Sequence, residues 1–79
     1  MANRLILRDR RDDPWGNVEA RIIWSGGGQD RVWVNNNGMG EFGGTGNIKE
    51  IQVAGETLYP SESRVDGNTT VVANSKNAH

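Results

Sequence analysis

The sequence predicts an all-β protein: a small sandwich or barrel of about six short antiparallel strands joined by long glycine- and asparagine-rich loops. Three observations predict it. Eight of the eleven glycines fall between Ser25 and Asn47, and glycine, lacking a Cβ, marks turns, bulges and close backbone approach. Apolar side chains recur with a period of two, most clearly Val18, Ala20, Ile22 and Trp24 against Glu19 and Arg21, the spacing of a half-buried strand. No segment carries an amphipathic helical period.

The elements follow in order. Arg4 to Arg8 holds Leu5, Ile6 and Leu7, a first strand, and Asp12-Asp13-Pro14-Trp15-Gly16 after it is turn chemistry, because proline pre-sets φ and aspartate bonds its local backbone. Val18 to Trp24 is the clearest strand. Ser25 to Asp30 supplies three consecutive glycines, so the next run, Arg31 to Val34, closes a hairpin with Val32 and Val34 on one face and Trp33 on the other. Asparagine and glycine then dominate Asn35 to Asn47, which reads as loop, since asparagine tolerates left-handed backbone and competes for local hydrogen bonds. Ile48 to Val53 and Thr57 to Tyr59 are two strands around a tight turn at Ala54 to Glu56; β-branched content and a length well below about 12 residues count against a helix there. Ser61 to Asn68 reads as loop and Thr69 to Ala73 as the last strand. Residues 1–73 form one β domain and 74–79 a polar C-terminal tail.

A 79-residue chain with 34% hydrophobic residues builds a thin core: a domain of this size buries only roughly 60% of the surface of its unfolded chain. Ile22, Trp24, Val32, Val34, Ile51, Val53 and Leu58 are the expected core. There is no cysteine and one histidine, His79, so neither disulfides nor a thiolate or multi-histidine metal site is available. Stability therefore rests on close packing of Trp15, Trp24 and Trp33 or on association with a partner.

Nine basic and ten acidic residues give a net charge of −1, which does not favour nucleic acid as a partner. Arg4 to Asp13 sets four arginines against three aspartates, a self-neutralising edge and turn. No stretch approaches the ~18 apolar residues of a membrane span. Arg8 interrupts the first apolar run, so no signal peptide is read and the expected site of synthesis is the cytoplasm.

Chemical motifs are sparse. Gly38-Met39-Gly40-Glu41-Phe42-Gly43 matches G-x-G-x-x-G, but a dinucleotide fold needs a strand before the string and a helix after it; here an asparagine run precedes and Gly44-Thr45-Gly46 follows, so the string reads as loop. Nucleophilic catalysis needs a serine, threonine or cysteine beside a base, and the lone histidine offers no such pairing in sequence. Asp12 and Asp13 read as solvated turn residues rather than paired catalytic carboxylates. The uncharged Asn35-Asn36-Asn37 run is a poor calcium cage. No metal or cofactor is expected. An outward-facing Trp33 between two glycine loops is the sharper signal, suited to ring stacking or a subunit contact. The ligand or interface candidates are Trp33, Asn35, Asn36, Asn37, Met39 and Phe42.

The run Gly46-Asn47-Ile48-Lys49-Glu50-Ile51-Gln52-Val53-Ala54-Gly55-Glu56-Thr57-Leu58-Tyr59-Pro60-Ser61 resembles short β modules of tailed-phage tail and virion-surface proteins, which often end in an I-K-x-I-x-V-x-G-x-x-L-Y-P hairpin. It covers 16 of the 79 residues. Asn47 to Gly67 more faintly resembles a βγ-crystallin domain, but lacks its serine pair and tryptophan and has a longer loop from Tyr59 to Gly67. The phage resemblance implies assembly rather than catalysis. The expectation is a non-enzymatic, self-associating virion component, capsid decoration or tail, working as a homo-oligomer or in a larger protein assembly. The alternative is a small module binding a carbohydrate or nucleotide through Trp33 and the Asn35 to Asn47 loop.

Overall fold

Alternating β-branched and aromatic side chains suit a pleated, half-buried surface, and the chain uses them to build two sheets. The computed structural model describes residues 2–79, which form β1 (Asn3–Arg8), β2 (Val18–Trp24), β3 (Gln29–Val34), β4 (Met39–Phe42), β5 (Gly46–Val53), β6 (Glu56–Leu58), β7 (Arg64–Val65) and β8 (Thr70–Asn74). The all-β class is the predicted one. The larger sheet runs β3-β2-β5-β6, with β7 paired to the start of β5; the smaller runs β4-β1-β8.

Several expectations are corrected. Asn35 to Asn47 is not one loop: Met39 to Phe42 is a strand pairing with β1, and β5 begins at Gly46, two residues before the predicted start. Gly40 and Phe42 take the inward positions of β4, so one of its two core-facing residues has no side chain and the apolar alternation is invisible. Likewise Arg64–Val65 interrupts the predicted 61–68 loop. Pairing of β1 with β8 is parallel, against an all-antiparallel expectation. The Ala54-Gly55 turn is as read, with both residues at positive φ (49° and 81°), the backbone of a type I′ hairpin that glycine adopts cheaply.

The core lies between the sheets. Ile22, Val32, Val34, Ile51, Val53 and Leu58 are buried as expected, facing Leu5, Leu7, Phe42, Val71 and Ala73 of the smaller sheet. Trp24 is the exception. A bulge follows Ile23, and the indole is only half-buried at the rim, 6.2 Å from the Phe42 ring centroid, its Nε1 donating to Asp30 Oδ2 at 2.8 Å. Indole needs a partner for its N–H, and the rim supplies one.

The sheets meet at two corners, which limits open edges. At one, an ideal Cβ on Gly40 would lie 2.6 Å from the Trp33 carbonyl oxygen, so glycine alone lets β4 nest against β3. At the other, Ser61 N–H donates to the Val72 carbonyl at 2.8 Å and Val72 N–H to Ser61 Oγ at 3.0 Å. Buried Asn3 ties loops to the smaller sheet: its Nδ2 donates to the Gly44 carbonyl at 2.9 Å, and its Oδ1 accepts from Gly67 N–H at 2.9 Å and Thr69 N–H at 3.1 Å.

Residues 74–79 are not a free tail. Asn74 ends β8, and the chain beyond it folds back on the β1–β2 loop, with Ser75 N–H donating to the Arg8 carbonyl at 2.8 Å and Arg10 N–H to the Asn77 carbonyl at 3.0 Å.

Candidate interaction surface

Strand register fixes which side chains share a face. Across the outward face of the smaller sheet, Met39, Ile6 and Val72 stand side by side, since Ile6 pairs with Met39 on β4 and with Val72 on β8. The neighbouring row is polar: Glu41, Arg4 and Thr70. On the other side stand Arg8 and Asn74. An apolar band is thus rimmed by charge, the anatomy of a protein–protein contact.

The band extends beyond the sheet at both ends. Trp33, 62% exposed on β3, lines a shallow hollow with Arg4, Asn35, Met39, Gly40 and Glu41. Tyr59, 67% exposed, lines another with Ser61 and Val72. The exposed large apolar side chains of the described residues, Trp33, Met39 and Tyr59, therefore all lie along one band. Sequence reasoning found Trp33 and Met39. It missed Ile6 and Val72, whose juxtaposition depends on pairing between strands more than 60 residues apart in sequence.

The asparagine run forms the turn between β3 and β4. Asn35 Oδ1 accepts from Asn37 N–H at 2.9 Å and Met39 N–H at 3.2 Å, so this side chain builds the β3–β4 turn. Asn36 and Asn37 are exposed at the tip of that turn. Phe42 is 5% exposed and belongs to the core, correcting its place among the interface candidates. The glycine string is likewise no open cradle: Gly38 N–H donates to the Asn35 carbonyl at 2.9 Å, and residues 39–42 are in β4.

The charged Arg4 to Asp13 segment is largely self-paired, as read. Arg8 contacts Asp12 at 3.7 Å, and Arg11 contacts Asp9 at 3.4 Å and Asp13 at 3.6 Å. Arg4 and Glu41 form no ion pair among the described residues, although they are cross-strand neighbours.

A second polar cluster was not legible locally. Ser75 Oγ donates to Glu56 Oε1 at 2.6 Å and lies 3.0 Å from His79 Nε2, which itself contacts Glu56 Oε2 at 2.7 Å. A serine–histidine–carboxylate relay uses one imidazole nitrogen for the hydroxyl and the other for the carboxylate. Here Nε2 meets both, and Ser75 is only 3% exposed. The cluster is a clasp between β6 and the chain end. Glu56 is held below the usual carboxylate range, chiefly by the Ser75 hydroxyl. Asp9, buried at the centre of the same region, accepts from the N–H groups of Arg11, Asp13 and His79. Foremost the His79 N–H lowers its pKa to about 2, against the opposing effect of burial. Among the described residues no three acidic or histidine side chains converge as metal ligands do.

No family model, curated protein or solved structure matches the chain.

Proposed function

We propose that the protein is a non-enzymatic β module that self-associates within a larger assembly, in the manner of tailed-phage capsid-decoration or tail components. The observation carrying this reading is the band from Trp33 through Met39, Ile6 and Val72 to Tyr59. A domain this small has few large apolar side chains, and leaving Trp33, Met39 and Tyr59 outside the core sacrifices burial worth about 1.5–3 kcal/mol for each large side chain. Covering the band in an assembly recovers it. The resemblance of Gly46 to Ser61 to phage virion modules supplies the biological setting. A second reading, a small module binding a sugar or nucleotide, draws on the exposed Trp33 ring; engagement of Asn35 in its own turn weakens it.

Light scattering across a range of micromolar concentrations tests the proposal. Mass above that of one chain, reduced by Trp33→Ser with folding retained, is the expected result. A monomer at high micromolar concentration, with a melting temperature independent of dilution, defeats it.

A further inference from the structure

The rows flanking the apolar band point to one occupant. We infer that the partner on this face is a second copy of the chain, related by a two-fold axis running parallel to the strands between β1 and β4. This rests on the self-association proposed above and specifies its geometry.

A rotation about such an axis keeps each row at its own height and exchanges β4 with β1. Met39 of one copy then lies over Ile6 of the other, and Glu41 lies over Arg4, twice by symmetry. Isologous contacts require a patch that complements itself in this way. Trp33, beyond β4, falls over β8 of the second copy, where Thr70 and Val72 face outward. Arg8 falls at the height of the Asn37-Gly38 turn, which carries no charge and so opposes no cation to it. Moving the axis onto β1 instead stacks Arg4 on Arg4, a like-charge contact that disfavours that arrangement. Because neither Arg4 nor Glu41 is ion-paired within the described residues, both are available for the contact.

Charge reversal with mixing tests this arrangement. Arg4→Glu and Glu41→Arg are each made alone, folding is confirmed by circular dichroism, and association is followed by sedimentation velocity. Each variant alone opposes like charges at both symmetric contacts, so its dissociation constant rises about tenfold or more over that of the unmodified protein. The two variants mixed in equal amounts associate again, because every contact between them joins opposite charges. Mixing leaves each chain's internal Arg4–Glu41 neighbourhood as damaged as before, so rescue reports the intermolecular contact alone. Association of the unmodified protein without loss in the single variants, or without rescue on mixing, overturns the inference while leaving self-association through another surface standing. An unmodified protein that stays monomeric overturns both.

Discussion

The imidazole of His79 lies flat on the indole of Trp15, ring centroids 3.7 Å apart and planes within 1° of parallel. Through this stack the end of the chain covers an aromatic ring that the thin core leaves at its margin. The same imidazole reaches Glu56, so the stack and the Ser75–Glu56 clasp hold one another in place.

His79→Ala is expected to cost about 1–2 kcal/mol, combining an aromatic pair worth ~0.5–1.5 kcal/mol with a lost side-chain hydrogen bond. In a domain of this size each kcal/mol lowers the melting temperature by about 4–8 °C. Trp15 emission should shift to the red as the ring gains water. An unchanged melting temperature and spectrum would show that the stack contributes nothing in solution.

Acid should unfold the protein through Asp9, Glu56 and Asp66. All three are held below their ordinary values, Asp9 at about 2 and Asp66 chiefly through the Thr69 hydroxyl. A lowered folded-state pKa means that the stabilisation is complete above the unfolded values of 3.8 and 4.5 and is lost as pH falls toward the folded values. The melting temperature should therefore be steady near neutrality and fall between about pH 4.5 and pH 2. Asp9→Asn should be less stable near neutrality and have a shallower acid limb. An acid limb identical to that of the unmodified protein would remove Asp9 from this account.

Asn3→Leu should destabilise by about 3 kcal/mol or more, because Gly44 C=O, Gly67 N–H and Thr69 N–H lose their partner, and each buried group left unpaired costs ~1–3 kcal/mol. Asn3→Asp keeps both acceptor contacts and should be milder. Equal effects of the two variants in urea unfolding would contradict this assignment.

Gly16→Ala should be severe and Gly26→Ala silent. A Cβ on Gly16 would overlap the Asn35 carbonyl oxygen, whereas one on Gly26 meets nothing within 4 Å. The expected losses are about 3 kcal/mol and within about 0.5 kcal/mol. Chemical denaturation of the pair reads the difference directly; comparable midpoints would mean that β2 is not anchored at the β3–β4 turn.

Local pattern carried much of the fold and little of the surface. The alternation of Val18 to Trp24 and of Ile48 to Val53 is legible because strand side chains alternate between faces, and a buried face must be apolar over its whole length. Trp33 was legible as outward-facing for the same reason. Met39 to Phe42 was not, because Gly40 sits where a core side chain would normally advertise a strand. The parity of Trp24 in its strand predicts a core position; the bulge after Ile23 and the hydrogen bond to Asp30 settle its place at the rim.

Composition, strand period and turn chemistry thus determined the all-β class, the core residues Ile22, Val32, Val34, Ile51, Val53 and Leu58, and the exposure of Trp33, since each depends on neighbours a few residues away. Only the tertiary structure decided that Asn3 is a buried hub, that Asp9, Glu56, Ser75 and His79 clasp the chain end, and that Ile6 and Val72 join Met39 in one exposed band. These relations span 19 to 70 residues of sequence. Ile6 and Val72 meet through parallel pairing of the first strand with the last, a long-range choice set by burial of both strands' inner faces and carrying no signature in either strand alone.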